Sequence, residues 1–185
     1  MILNLGCGND LRQDSINCDI TCYPGVDMVV DLGVFPWPWP DNSIDGIHAA
    51  HIIEHLPDPK PFILECLRIL KPGGFLRLKV PHSSNISAVG CLGHYRTFSY
   101  DTLNDYLARD FYYLGKAKFR TVEQKFRFWY EVTDCQGELT RFQFHIVKLL
   151  DSIITPLANI SPRIWENVVC PTIQMREVIY TGVKL

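Results

Sequence analysis

The residues with the clearest chemical potential come early. Gly6 and Gly8 close the apolar run Met1-Ile2-Leu3-Asn4-Leu5, and Asp19 and Asp31 stand at the ends of the next two extended runs. A Gly-x-Gly turn after a strand permits unusual backbone angles and lets a ligand approach the main chain closely. A carboxylate at Asp19 can accept two hydrogen bonds from a ribose diol, while Asp31 and Leu32 offer a polar edge and an apolar face to an adenine ring. Taken singly, each Asp reads better as a turn or cap residue. In an open α/β sheet, however, the carboxyl ends of neighbouring strands line one crevice, and the order glycine turn, Asp, Asp then describes a cofactor site.

The omissions say which cofactor. A pyrophosphate is held at the amino terminus of a helix that follows the glycine turn at once. Here Leu11 stands where the third glycine of Gly-x-Gly-x-x-Gly would be, and only the polar stretch Asn9 to Asp14 separates the first two strands. That is too short for a full crossover helix, so a stub or no helix is expected. S-adenosylmethionine (SAM) carries a ribose, an adenine, a zwitterionic amino acid and a sulfonium but no phosphate, and it fits the acidic crevice better than a dinucleotide.

A second motif, His51-Ile52-Ile53-Glu54-His55, matches the inverted zinc-peptidase signature. Zinc hydrolysis through His51, Glu54 and His55 would need a sustained helix and a distal carboxylate ligand. Pro57 and Pro59 interrupt such a helix almost immediately, so capping or pocket-wall roles are the better reading and no metal is expected. His82, just past a strand, and His94 with Tyr95 in the next loop are the positional candidates for a general base. Each also reads as an ordinary structural side chain. Lys116, Lys118, Arg120, Lys125 and Arg127, interleaved with Phe119, Phe126, Phe128 and Trp129, describe either a nucleic-acid surface or a solvated strand face with its aromatics inward.

The bulk properties favour the second alternative. The chain has 185 residues, a net charge of −2 and a pI near 6.3, which give no global attraction to nucleic acid or to an anionic membrane. Its seven cysteines form no Cys-x-x-Cys pair, and neither a basic leader nor a bilayer-length apolar run is present, so reduced thiols in a cytoplasmic protein are expected.

The elements that must position these residues follow from periodicity. Short strands are expected at 15–20, 26–32, 44–50 and 75–80, the one over 26–32 as a buried β-branched run. A helix is expected over 57–70, stopped by Pro72-Gly73-Gly74. Phe35-Pro36-Trp37-Pro38-Trp39-Pro40 is a pocket rim, a structural corner or, as a minor alternative, a proline-rich ligand. Beyond residue 82 the pattern predicts a loop over 83–97, a helix over 100–109 capped by Ser99, and a strand or hairpin over 116–130. An amphipathic helix over 139–154 follows, packed on its own sheet or against a second subunit in a homodimer, and then a β-rich segment over 172–183. The fold class is α/β, a Rossmann-like doubly wound and mostly parallel sheet.

Six segments in order carry a resemblance: Leu3-Asn4-Leu5-Gly6-Cys7-Gly8-Asn9, Asn17-Cys18-Asp19-Ile20, Asp31-Leu32, Pro40 to Ile47, His51 to Leu56 and Glu65 to Gly74. Over about residues 1–82 the chain resembles the class I SAM-dependent methyltransferases, of the small type-11-like group related to the ubiquinone and sterol enzymes. The resemblance implies an antiparallel last strand and SAM as cofactor, with S-adenosylhomocysteine as product. It also places Gly6, Cys7, Gly8 and Asn9 against the methionine part, Asp19 and Ile20 at the ribose, Asp31 and Leu32 near adenine, and Ala49 and His51 beside the methyl. The expected function is methyl transfer to a small-molecule or glycan-like acceptor, with a non-catalytic SAM-binding or interaction module as the rival. The family's usual helices before the first strand are missing. A single domain over 1–185 is expected, with 1–82 binding SAM and 83–185 forming the substrate and lid half, including an inserted helical segment at about 134–165.

Overall fold

A computed structural model describes residues 1–110, 116, 118–129 and 141–185. Seven strands form one sheet: β1 (Ile2–Leu5), β2 (Ile16–Asp19), β3 (Met28–Val29), β4 (Ile44–Ala50), β5 (Leu70–Pro81), β6 (Phe119–Arg127) and β7 (Glu177–Lys184), in the order β3-β2-β1-β4-β5-β7-β6. The first five run parallel. β7 slots between β5 and β6 and is antiparallel to both, as the resemblance implied.

The central strands are apolar because both their faces are covered. Leu3, Leu5, Ile44, Ile47, Leu76, Leu78, Val178 and Tyr180 are almost wholly buried. α1 (Lys60–Ile69) covers one face with Phe62, Ile63, Cys66 and Ile69. It starts three residues later than periodicity predicts, with Pro61 in its first turn, where a missing N–H costs no hydrogen bond.

The tryptophan loop is a structural corner. Trp37 and Trp39 are buried, Trp37 meets Phe62 edge-on at 5.2 Å, and Arg68 on α1 donates to the carbonyls of both tryptophans.

Several expectations are corrected. The third strand is no buried run: β3 has only two residues, both exposed, because it lies at the sheet edge, and burial resumes only at Val30 and Leu32. The first crossover, by contrast, has no helix, as its length predicts, and residues 6–15 form successive turns. The 83–97 loop contains the short helix α2 (Ile86–Val89), whose cap is the Asn85 side chain accepting from the Ser87 N–H. α3 (Thr102–Ala108) begins three residues beyond Ser99, because the Ser99 hydroxyl pairs with that of Thr102 instead of capping a helix at Tyr100.

The 139–154 expectation falls on α4 (Arg141–Ile160), with residues 139 and 140 outside the described residues. Its apolar stripe does not pack on the sheet: Phe142, Ile146, Leu149, Leu150 and Ile153 are exposed. The opposite side faces β6, where Asn159 bonds both the N–H and the carbonyl of Phe126, Thr155 accepts from Phe128 N–H and Asp151 accepts from Trp129 N–H. Side chains of the helix thus satisfy the outer backbone of an edge strand. α5 (Pro162–Ile164) and a π-helical turn at Trp165–Val169 complete the described part of the 134–165 segment.

Among the described residues, no helix is long and apolar enough to cross a membrane. Two basic residues of β6 are engaged with acids, Lys125 with Glu123, which also meets Arg77 of β5, and Arg127 with Asp151, while Phe119 and Phe126 are buried. That is the arrangement of a solvated strand face.

Candidate cofactor crevice and the sealed charge cluster beside it

The glycine turn uses left-handed backbone that favours glycine, and at Gly6 it also leaves no room for a side chain. Gly6 and Gly8 have φ of 60° and 49°, and a Cβ on Gly6 would lie 2.0 Å from the Ile52 side chain. A Cβ on Gly8 would meet nothing within 4 Å, so that side of the turn is open. Beneath the turn, the buried Asn4 donates to the Asp10 carbonyl at 2.7 Å and to Asn17 Oδ1 at 3.0 Å. Asn17 in turn holds Arg12 and Asp27. This amide network occupies the place of the missing crossover helix and fixes the loop shape without one.

Asp19 converges on the turn as the parallel register requires. Its Oδ2 accepts the Gly8 N–H at 3.0 Å and its Oδ1 accepts the Thr21 N–H at 3.1 Å. Burial pushes its pKa up, but these bonds and one from Tyr23 outweigh it, and the carboxyl is held below the usual range. The Tyr23 hydroxyl also stands 3.9 Å from Cys7 Sγ, whose pKa is raised by burial. Ile20 is 63% exposed and Asn9 is exposed beside the same turn. Asp31 bonds the Gly33 N–H at 2.8 Å in an Asx turn, and Leu32 is buried. Gly6, Cys7, Gly8, Asp19 and Ile20 thus come together at the carboxyl ends of β1 and β2, with Asp31 and Leu32 beyond the end of β3 at the sheet's edge.

On the other side of the turn, Ala49 is buried at the end of β4 and His51 follows with φ of 55°. The His51 ring lies between two wholly buried carboxylates, Nδ1 at 3.1 Å from Glu54 Oε1 and Nε2 at 3.2 Å from Glu177 Oε1. Burial opposes its charge, yet the bonds and charges of Glu177 and Glu54 outweigh that and raise its pKa to about 10. At neutral pH the side chain is an imidazolium. The minor zinc-peptidase alternative lacks the sustained helix it needs, because residues 53–55 make a single 3-10 turn, and both nitrogens of His51 are engaged.

Of the base candidates, His82 is 1% exposed. Its Nε2 lies 2.9 Å from Glu166, its Nδ1 lies 2.8 Å from the Ser84 hydroxyl, and burial lowers its pKa. It joins the end of β5 to the π-helical turn. His94 is half-buried and Tyr95 exposed, on a loop pinned to the 3-10 turn by the Tyr95 N–H to the Glu54 carbonyl at 2.8 Å. Sequence reasoning missed Glu177 and Tyr23. The one available signal for Glu177 is a lone acid opening an otherwise apolar strand.

Residues 6–78 match the family model described as a methyltransferase domain. A probable S-adenosylmethionine-dependent methyltransferase of Mycobacterium tuberculosis is 31% identical over 103 residues, 46% of this chain and 37% of that protein. A ubiquinone biosynthesis O-methyltransferase of Xanthomonas oryzae is 38% identical over 53 residues, 26% of this chain and 22% of that protein. The chain therefore matches well under half the length of these curated relatives. In fold, a SAM-dependent methyltransferase from Archaeoglobus fulgidus superposes with a TM-score of 0.59 over 99% of this chain and 85% of its own, at 19% identity. Over residues 6–78 the chain is similar to a methyltransferase domain, and its seven-stranded sheet has the fold of the solved S-adenosylmethionine-dependent methyltransferase.

Proposed function

We propose that the chain transfers a methyl group from SAM to a small-molecule or glycan-like acceptor, with residues 1–82 holding the cofactor and 83–185 shaping the acceptor side. The observation that carries this reading is the convergence of the open glycine turn with an ionised Asp19 at the ends of β1 and β2. These residues fit SAM: the Cβ position of Gly8 is open to a ligand, and the Asp19 carboxylate, its pKa held below the usual range, is an acceptor beside it.

When bound, SAM supplies an electrophilic methyl on a sulfonium centre. Asp19 accepts from the ribose hydroxyls, with Ile20 an apolar surface beside it. Asp31 keeps one oxygen for the adenine edge, and Leu32 backs the ring. Gly6, Cys7, Gly8 and Asn9 present backbone to the amino-acid part, and Ala49 and His51 border the reacting carbon. Holding donor and acceptor in line supplies most of the catalysis. His82 is sealed from any acceptor, so if a proton must be removed the rim residues His94 and Tyr95 are the groups placed to take it.

The likeness to known methyltransferases supports the donor more than the acceptor, since the family match lies within residues 6–78. The free thiols of the six described cysteines support a reducing compartment, the cytoplasm, as the place of work.

Calorimetric titration with SAM and with S-adenosylhomocysteine tests the reading, and failure of both to bind the wild type would overturn it. Asp19→Asn, which keeps one carbonyl acceptor for the Gly8 N–H, should weaken both ligands about tenfold or more. Unchanged affinity in that variant removes Asp19 from the ribose site.

A further inference from the structure

The His-x-x-Glu-His run is not exhausted by the pairing of His51 with two carboxylates. Glu54 and His55 meet a third side chain from another loop, His94, and one ligand atom from each lies within 4.8 Å of the others. Glu54 is wholly buried, and while its Oε1 engages His51, its Oε2 is buried with no hydrogen-bond partner. A buried carboxylate oxygen left in this state costs free energy unless something cationic or protic completes it.

The two imidazoles are already set in the tautomer a metal requires. His55 Nδ1 is 2.9 Å from the Gly93 carbonyl and His94 Nδ1 is 2.9 Å from the Ala88 carbonyl. A carbonyl only accepts, so each Nδ1 is the donor, which in the neutral ring leaves the lone pair on Nε2. Backbone carbonyls are the usual outer partners that orient metal-binding histidines. The rings stand edge to face with centroids 4.7 Å apart. Their loops are tied together by the Tyr95 N–H to the Glu54 carbonyl and by Arg96 to the Pro57 carbonyl at 2.7 Å.

We propose that Glu54 Oε2, His55 Nε2 and His94 Nε2 form a binding site for one divalent transition-metal ion of the zinc class. Two neutral imidazoles and one carboxylate suit zinc or cobalt, whereas magnesium and calcium favour oxygen throughout. Three protein ligands leave a position for water or another small ligand, and the exposed His55 side is the way in. The site does not rest on the methyl-transfer reading, because its ligands lie outside the proposed cofactor contacts.

The test is titration of the full, metal-stripped chain with Zn2+ by calorimetry and with Co2+ by visible absorption. The wild type should bind one ion per chain, with the intense cobalt bands of a four- or five-coordinate site. His55→Gln and His94→Gln should each weaken binding by at least the roughly 10–100-fold that loss of an outer partner costs. Cys91→Ser, which removes the nearest exposed thiol, should leave binding unchanged. Absence of saturable binding to the wild type overturns the proposal, as does wild-type affinity in both histidine variants. Loss of binding in Cys91→Ser with retention in His94→Gln would also overturn it. The exposed His55 keeps the test valid should the His94 variant fold poorly, and the melting temperature of each metal-free variant reports that directly. Because the readout is metal alone, a chain that fails to bind SAM can still pass, and the two results stay separable.

Discussion

The two edges of the sheet are finished differently. At one edge β3 is two exposed residues, with Asp31 in an Asx turn just beyond. At the other, β6 runs for nine residues; Asn159 of α4 bonds its backbone at Phe126, and Thr155 and Asp151 take the N–H groups of Phe128 and Trp129 just beyond its end. The open edge is short enough to be harmless as a template for strand addition, and it leaves the proposed cofactor side accessible. The long edge needs a cover, and it receives a polar one. α4 turns Asn159, Thr155 and Asp151 inward beside Ala158 and Ile154, and its Phe142, Ile146, Leu149, Leu150 and Ile153 outward, which reverses much of the usual amphipathic arrangement. The difference teaches that an edge strand can attract the polar side of a helix when unpaired N–H and C=O groups, rather than apolar side chains, are what must be satisfied.

Three substitutions sharpen or break that comparison. The largest effect belongs to neither edge: Phe62→Ala, beneath Trp37 in the wholly buried face of α1, should cost about 3–5 kcal/mol in urea unfolding. Next comes Asn159→Ala, which strips two bonds from the backbone of the buried Phe126 and should cost about 1–3 kcal/mol. If that variant unfolds at the wild-type midpoint, α4 is no cover for β6. The smallest is Leu149→Ala, at an outward position 62% exposed, where the melting temperature should stay within the equivalent of about 0.5 kcal/mol. A larger loss there would mean that the outward stripe is packed in solution.

The order of elements through residue 81 was readable because its periodicities are clean. Buried strands alternate with a helix that Pro61 opens near one end, and Gly6, Gly8 and Asp19 fall at strand ends, where parallel topology must gather them. Two things were not readable. β3 looked buried because Val29 and Val30 are β-branched, but position in the sheet, which a local run does not encode, left Met28 and Val29 exposed. The 142–153 stripe looked like a core face for the same reason, and only the unpaired backbone at the end of β6, bonded across 22 to 33 positions, decides which side turns inward. The charge cluster was hidden by distance, since His51 and Glu177 are 126 positions apart. The assignments of individual residues to SAM rest on the titrations above.

The place of β7 has a consequence for the nascent chain. β6 is made before β7 yet has no strand to join until β7 arrives, because β7 lies between it and β5. During synthesis the first five strands can assemble from the ribosome outward, while β6 waits without a neighbour and the edge of β5 stays bare. His51 then faces Glu54 alone. Arrival of Glu177 supplies the second carboxylate in the same event that closes the sheet, so the state of that imidazole reports whether the newly made protein has finished folding.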